Sequence, residues 1–379
     1  MTFVLNAEQE LFSNSARKFL STRAPVVMLR QLRDSRDAIG FSRELWDELS
    51  AIGWAGLLIP EQYGGVSFGY VGIGIAAEES GRTLTPLPLL STAVLGVTAL
   101  VKSGSSAQKS ELLPAIAVGK LIIALAVDER SRHAPHRITT RAMPIGSGFR
   151  LSGHKGFVLD GHVANRLIVS ARIGTQDAAA GGTTLFLIDP HAAGVTIERT
   201  LTVDSRNAAE VRLQNVAATE YDVVGAVGGG AELLDNALDA GRAALACELT
   251  GIASECLERT LDYLRQREQF GRKLGEFQAL QHRAAQLFCE IELARSAAFA
   301  ALRALDDGSA DAALLVSVAK AKCSEAARLA TNEALQMHGG IGMADEHDIG
   351  LFMKRARVAA ETFGDYAFHS DRVARLCGF

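Results

Sequence analysis

The chain has 379 residues, of which 48% are hydrophobic, so it is long enough for two or three domains with buried cores. Its formal net charge of −4 and pI near 6.2 provide no global positive field that would attract nucleic acid or an anionic membrane. We therefore expect any anion binding to depend on local clusters of basic residues.

Targeting segments and metal sites are not indicated. The first residues, MTFVLNAEQE, lack a basic segment followed by an apolar core, and apolar runs such as LIIALAV from Leu121 are too short to span a bilayer. The five cysteines form no CxxC pair, and the nine histidines form no HExxH motif. The acidic EHD from Glu346 to Asp348 is more typical of a solvated helix start than of a metal site. We expect a soluble cytoplasmic protein that binds no metal, membrane or nucleic acid.

The first third of the chain is predicted to be helical. Blocks such as LFSNSARKFL, LWDELSAIG and GIGIAAEESGR place apolar residues three and four positions apart and end at glycine or proline. IPEQYGGV, from Ile59 to Val66, contains a proline and paired glycines and predicts a structured turn. We assign residues 1–119 to an N-terminal helical domain.

The middle of the chain has the pattern of strands. Short β-branched or alternating runs, including RLIVSAR, TTLFLID and GVTIERT, are separated by Gly, Asp and Pro. We assign residues 120–228 to a middle β domain. GAVGGGA, from Gly225 to Ala231, lacks the Lys and Ser/Thr that follow the glycines of a phosphate loop, so a hinge is the better interpretation.

Residues 229–379 are predicted to form a C-terminal helical bundle domain. The stretch from Ala231 onward has a helical pattern over about 36 residues, or about 54 Å at 1.5 Å per residue.

One carboxylate on this long helix lies in an apolar setting. The residues three and four positions from Glu248 are Ala244, Leu245, Gly251 and Ile252, with no basic partner among them. Burial of such a carboxylate raises its pKa, as in a general base that works near neutral pH. The alternative is a buried glutamate hydrogen-bonded to a neighbouring helix or subunit.

Two further stretches have the composition of a nucleotide site. QREQFGRKLGEFQ combines Arg267, Arg272 and Lys273 with Phe270 and Gly271, so it offers cations for phosphate and an aromatic face. LQMHGGIG, residues 335–342, offers an amide followed by glycines that let a ligand approach the backbone. Either stretch alone is also compatible with an ordinary basic helix end or a glycine cap.

Taken together and in this order, PEQYGG, REQFGRKLGEFQ, QMHGGIG and KRAR resemble the acyl-CoA dehydrogenase family over nearly the whole chain. The resemblance implies an α+β multidomain fold with a helical, a β and a four-helix-bundle domain, assembled as a tetramer. It implies FAD between the β domain and the bundle, with its pyrophosphate and adenine end reaching the next subunit. The cofactor residues implied are Arg267, Gln269, Phe270 and Gln278, with Gln336, Gly339 and Gly340 from the neighbouring protomer.

Members of the family remove the α-proton of an acyl-CoA thioester with a glutamate while hydride leaves to flavin, giving a trans-2-enoyl-CoA. At the usual C-terminal position of that base this chain has Phe363, in AETFGD, and at a second family position it has Gly241. ALACELTG is similar to a subgroup of bacterial steroid and branched-acyl enzymes in which the glutamate of an AxE segment acts as base. The resemblance therefore favours Glu248 as base, with Glu361 and Asp365 as reserves.

The flavin-facing segments depart from the family pattern. The chain has DER at Asp128 to Arg130 and FVLD at Phe157 to Asp160. Phe157 can pack against the isoalloxazine ring, but Leu159 replaces a hydroxyl that often bonds flavin N5. Asp365 is a further candidate cofactor contact, with a helix-cap role equally open.

Arg206 and Arg242 are candidate contacts for CoA or the acyl carbonyl, although solvent-exposed arginines are the usual case. Small residues around Gly241 indicate room for a bulky or branched acyl group, or simply close helix packing.

Three functions follow from the resemblance. The leading hypothesis is an FAD-dependent acyl-CoA dehydrogenase that passes electrons to an electron-transferring flavoprotein. The main alternative is a non-catalytic or half-site partner subunit of an α2β2 heterotetramer. The sequence leaves open whether the chain forms a homotetramer or such a heterotetramer. The third is a flavoenzyme that reduces oxygen directly.

Overall fold

The computed structural model describes residues 4–174 and 182–379. The first three residues of the segment MTFVLNAEQE lie outside this part of the chain. No helix among the described residues is long and apolar enough to cross a bilayer.

The first third of the chain is helical, as predicted. Its helices are α1 (Ala7–Arg23), α2 (Val26–Asp34), α3 (Arg43–Ala51), α4 (Gly69–Thr83), a π-helical turn (Leu89–Gly96), α5 (Val97–Ser103) and α6 (Ser106–Ala117). Side chains fix where they begin: Asn6 accepts a hydrogen bond from the Gln9 amide at α1, and Ser105 accepts one from the Gln108 amide at α6.

The predicted turn at residues 59–66 is confirmed. A short 3-10 helix, Glu61–Tyr63, ends at Gly64 in the left-handed region, with φ of +82°. At Gly65 a Cβ atom would lie 2.0 Å from the Ile59 carbonyl oxygen, so only glycine fits this close approach of two backbone segments.

The middle of the chain forms an eight-stranded mixed sheet. The strands are β1 (Ile123–Ala126), β2 (Arg141–Ile145), β3 (Gly148–Lys155), β4 (Arg166–Ile173), β5 (Thr183–Ile188), β6 (Val195–Leu201), β7 (Asn207–Thr219) and β8 (Val223–Val224). Their order is β6-β7-β3-β2-β4-β5-β8, and β1 pairs in parallel with β4.

The remainder is helical. A 37-residue helix, α7 (Gly230–Gln266), agrees with the predicted length of about 36 residues. A two-stranded hairpin follows, and then four helices. These elements are β9 (Glu268–Gln269), β10 (Arg272–Lys273), α8 (Gln278–Asp306), α9 (Ala312–His338), α10 (Ile349–Glu361) and α11 (Tyr366–Leu376).

The chain folds into two compact units, each discontinuous in sequence. The first comprises Met1–Arg36, Tyr70–Pro86 and Arg242–Phe379, and the second comprises Asp37–Gly69 and Leu87–Gly241. In the first unit α4 packs backbone to backbone on α7, because a Cβ at Gly251 would lie 1.9 Å from the Glu78 carbonyl oxygen. In the second unit the buried apolar side chains lie on both the sheet and the helices.

The EHD segment is a helix start, as predicted. Asp348 is the residue that precedes α10, and its carboxylate forms ion pairs with Arg30 and Arg259 at 3.0 and 2.9 Å. Among the described residues, no group of three or more His, Cys, Asp or Glu side chains is placed to hold a metal ion.

A buried ion pair lies within the second unit. The Lys155 ammonium, fully buried, donates to the Glu129 carboxylate at 2.7 Å and to Ser170 Oγ at 2.9 Å. Burial lowers the pKa of Lys155 to about 8, and the charge of Glu129 opposes this effect. Burial raises the pKa of Glu129, but the charge and hydrogen bonds of Lys155 outweigh it and bring the value to about 2. Both groups are therefore charged at neutral pH.

We predict that Lys155→Met lowers the free energy of unfolding by about 3–5 kcal/mol, because it leaves the Glu129 carboxylate dry and without its cation. Urea denaturation of the wild-type and variant proteins measures the difference. The double variant Lys155→Met/Glu129→Gln removes both charges and should lose clearly less. An equal loss in the single and double variants would contradict an ion pair as the source of the stability.

Candidate functional site

The predicted base, Glu248, lies on α7 and is 7% exposed. Its partner lies on a neighbouring helix and not at helical spacing on α7, which is the arrangement described by the alternative of a buried, hydrogen-bonded glutamate. Arg355 of α10, which is 5% exposed, donates from Nε to Glu248 Oε1 and from Nη2 to Oε2, both at 2.7 Å. Arg355 is 107 residues away in sequence, so no helical spacing could reveal it. A bidentate guanidinium favours the ionised carboxylate.

The two reserve acids have structural contacts of their own. Glu361 is exposed and pairs with Arg357 one helical turn earlier at 3.1 Å. Asp365 accepts a hydrogen bond from the Phe368 amide at 2.8 Å and caps α11, so the helix-cap role weighed for it is confirmed. Of the three acids, only Glu248 is almost fully excluded from solvent.

The turn between α10 and α11 occupies the position of the family's C-terminal base. Phe363 is buried and left-handed, with φ of +58°. Its carbonyl oxygen accepts a hydrogen bond from Arg242 Nε at 3.0 Å, and the Arg242 guanidinium lies 5.3 Å from the Phe368 ring centre. Arg242 is 1% exposed, so it is not the solvent-exposed arginine that is usual on a surface.

Lys320 of α9 holds the same turn, and sequence reasoning missed it. Its fully buried ammonium donates to the carbonyl oxygens of Ala360 at 2.8 Å and Gly364 at 3.2 Å. Burial and, to a smaller extent, the charge of Arg242 lower the pKa of Lys320 to about 7. The available signal was a lysine on an apolar stripe, between Val316 and Cys323 at helical spacing.

The motif at residues 266–278 folds as an exposed hairpin. Phe270 and Gly271 join β9 to β10 with φ of +55° and +76°, the positive values that a two-residue type I′ turn requires. Phe270 is 89% exposed. Arg267, Gln269 and Gln278 are also exposed, so the predicted cofactor residues of this motif present cationic, amide and aromatic groups to the outside of the chain.

The second motif ends α9. Gln336 and Gly339 are exposed, and Gly339 has φ of +68° and ψ of −142°, a backbone conformation suited to glycine. A Cβ atom at Gly339 or Gly340 would meet no atom of this chain within 4 Å. Packing within the protomer therefore does not require glycine at residue 340. Glycine would be required there if a ligand or another chain approached the backbone closely.

A ring stack lies next to both motifs in the sequence. Tyr263, four residues before Arg267, stacks on His338, the residue before Gly339, with ring centres 4.5 Å apart. The first motif offers cationic and aromatic groups and the second offers bare backbone, which are groups that fit the phosphate and ring portions of a dinucleotide.

The remaining predicted residues lie in the second unit. Phe157 is left-handed, with φ of +51°, and 37% exposed, so its ring is available for stacking. Arg206 is half-buried in the turn between β6 and β7. In the DER segment, Asp128 bonds to His133 at 2.8 Å and Glu129 bonds to Lys155, so these carboxylates are used inside the unit.

Three family models match the chain. They are the acyl-CoA dehydrogenase N-terminal domain over residues 6–120, the middle domain over 128–216 and the C-terminal domain over 228–377. The mitochondrial isovaleryl-CoA dehydrogenase of Solanum tuberosum is 31% identical over 322 residues, which cover 83% of this chain and 77% of that protein.

Solved structures agree with this match. The butyryl-CoA dehydrogenase from Megasphaera elsdenii is 25% identical with a TM-score of 0.90, and the match covers 100% of both chains. A variant of the Tcur3481-Tcur3483 steroid ACAD is 31% identical with a TM-score of 0.87, covering 98% of this chain and 97% of that one.

The chain belongs to the acyl-CoA dehydrogenase family. It has the fold of that family and is an oxidoreductase with FAD as its cofactor, as the sequence motifs predict.

We predict that Arg267→Ala weakens FAD retention by about tenfold or more, because it removes a charge-assisted contact to phosphate. The measurement is the dissociation constant of FAD for the apoprotein. Arg265→Ala is the matched control, since Arg265 lies one half-turn earlier on α7 and pairs with Asp262 at 3.0 Å. Equal FAD affinity in wild-type and Arg267→Ala proteins would remove Arg267 from the cofactor site.

Proposed function

We propose that the protein converts an acyl-CoA thioester to a trans-2-enoyl-CoA and passes the electrons to an electron-transferring flavoprotein in the cytoplasm. The observation that carries this proposal is that the chain matches all three domains of the family and exposes both motifs that the resemblance assigns to FAD. Family membership supports acyl-CoA dehydrogenation in general, and the finer statement rests on the residues discussed below.

The proposed cofactor residues divide by chemistry. Arg267 provides positive charge for the pyrophosphate, and Gly339 and Gly340 leave backbone exposed for close approach. Phe157 and Phe270 offer ring faces, and the polar residues proposed to complete the site are Gln269, Gln278, Gln336 and Asp365. FAD, when bound, supplies the acceptor for the hydride that leaves the substrate.

Glu248 is the proposed base because it combines a carboxylate with near-complete exclusion from solvent. A carboxylate offers about four acceptor positions, of which Arg355 uses one on each oxygen. Proton transfer to Glu248 neutralises the carboxylate and removes its attraction to Arg355. Proton abstraction therefore requires that the Arg355 guanidinium moves away from at least one oxygen or finds another acceptor.

A branched or bulky acyl group is the proposed substrate class. Ala240, Ala243 and Ala244 of α7 are buried and small, and Gly241 lies among them. The named relatives include an isovaleryl-CoA dehydrogenase and a steroid ACAD, whose acyl groups are branched or bulky. Arg206 and Arg242 are the proposed contacts to CoA or to the acyl carbonyl region.

We predict that Glu248→Gln keeps its flavin and lowers turnover by about a hundredfold to ten-thousandfold, because the amide cannot accept the α-proton. Single-turnover flavin reduction measures the chemical step directly.

The control must separate catalysis from the buried ion pair. Glu248→Leu/Arg355→Met replaces both charges with apolar groups, a change that is often neutral for stability. We expect this double variant to fold and bind FAD but to be as slow as Glu248→Gln. Full activity in the folded double variant would show that the pair is structural and that the base lies elsewhere.

We also predict that the chain purified alone is yellow and that its flavin absorbance bleaches when a branched acyl-CoA is added without oxygen. A panel of straight, branched and steroid acyl-CoA thioesters identifies the substrate by its bleaching rate. A colourless chain that gains activity only with a second polypeptide would contradict the proposal and favour the half-site partner. Hydrogen peroxide formed at the rate of turnover would contradict the flavoprotein acceptor.

A further inference from the structure

Two histidines bracket the loop that contains Gly339 and Gly340. His338 is the last residue of α9, and His347 lies two residues before α10. Their ring centres are 4.6 Å apart, so the two ends of the loop meet through these side chains.

We propose that His338 and His347 form a clasp that positions the glycine loop for FAD only while both imidazoles are neutral, so that acid opens the cofactor site. This inference rests on the proposed role of Gly339 and Gly340 in binding FAD. We call these two residues the histidine clasp.

Hydrogen bonds orient the two rings. His338 is 4% exposed and its Nδ1 lies 2.7 Å from the Ala334 carbonyl oxygen, which fixes Nδ1 as the protonated nitrogen of the neutral ring. The Ile349 amide donates to His347 Nδ1 at 3.4 Å, which fixes that nitrogen as an acceptor. Tyr263 covers the other face of His338 at 4.5 Å. The loop is thus closed by three neighbouring rings, of which Tyr263 and His338 are stacked and His338 and His347 are tilted by 53°, and His347 Nδ1 must stay unprotonated to accept the Ile349 amide.

The charges around the clasp are mostly positive. Arg259 of α7 acts on both imidazoles, and Arg30 of α2 acts on His347. Asp348 is the acidic group that acts on His347, but it already pairs with Arg30 and Arg259. Arg33 pairs with Asp345 at 2.9 Å, within the same loop. A proton on either ring therefore adds a positive charge beside the other imidazole and at least one guanidinium.

The direction of the pH effect follows from these contacts. Burial is the main cause that lowers the pKa of His338 and of His347, and the charge of Arg259 lowers both further. The Ala334 hydrogen bond at His338 and the Asp348 charge at His347 oppose this effect without reversing it. A histidine whose pKa is lower in the closed loop than in the open one stabilises the closed loop fully above the ordinary value of about 6.5. That contribution is lost progressively as the pH falls below about 6.5.

The two histidines have no role in the proposed proton or hydride transfer, and their contact is one of those that hold the loop. Ile341 and Met343, within the loop, are exposed, so apolar packing inside this chain does little to hold it. The loop is held at Asp345 by Arg33, which donates to both carboxylate oxygens at 2.9 Å, and at its two ends by the clasp.

The test compares FAD affinity of the full-length apoprotein as a function of pH. For the wild type, we expect the dissociation constant of FAD to rise about tenfold or more between about pH 7.5 and about pH 5.5, since one proton can change it up to tenfold per pH unit. His338→Phe/His347→Phe keeps three neighbouring rings without titratable nitrogens. In this variant the dissociation constant of FAD should change less than about threefold between the two pH values.

The exposed His191 provides the matched control, because His191→Gln removes an imidazole from the second unit, and the FAD affinity of this variant should depend on pH as that of the wild type does. If the wild-type and double-phenylalanine proteins lose FAD equally at low pH, or neither loses it, the proposal is overturned.

A second measurement does not depend on FAD. Hydrogen exchange of amides 339–348 in the apoprotein, compared with the variant at each pH, should be faster in the wild type only at low pH. Equal exchange at every pH overturns the clasp. A protein that binds no FAD at any pH would instead contradict the proposed function, and the exchange experiment would still decide whether the clasp exists.

Discussion

The buried ion pair between Glu248 and Arg355 fixes the relation of α7 to α10 within the helical unit. Removing either partner would strand a charge out of water, at a cost of about 3–5 kcal/mol. On another side of α7, a Cβ at Gly81 of α4 would lie 2.3 Å from the Glu248 carbonyl oxygen, so backbone packing holds this residue as well. The carboxylate is therefore dry and well positioned, two properties of a good general base. It is also bound to a cation, which opposes protonation.

Two buried basic side chains hold the turn between α10 and α11. Arg242 and Lys320 donate hydrogen bonds to the carbonyl oxygens of Ala360, Phe363 and Gly364, so backbone oxygens of the turn hold these two buried side chains. Because the resemblance places Phe363 at the position of the family's base, the proposed base is an acid on another element. Glu248 is the proposed acid because it is buried, and its ion pair with Arg355 must loosen before it can accept a proton.

The sequence predicts the parts of this protein that depend on local patterns. Apolar spacing predicts α7 to within one residue of its 37, and the order of motifs predicts the family, the fold and FAD. Sequence does not predict the partners of buried charges. Arg355 meets Glu248 across 107 residues and Lys155 meets Glu129 across 26, because these contacts depend on how helices and strands pack. The apolar neighbours of Glu248 indicate burial correctly but not the guanidinium above it.

A crystal structure of the FAD-loaded protein with a non-reacting analogue of a branched acyl-CoA tests the role of Glu248 most directly. We predict that the Glu248 carboxylate lies within hydrogen-bond reach of the analogue's α-carbon position, on the face opposite the flavin, and that Arg355 has left at least one of its oxygens. An intact Glu248–Arg355 pair, remote from the α-carbon, would contradict the assignment and leave the pair as a purely structural link between α7 and α10.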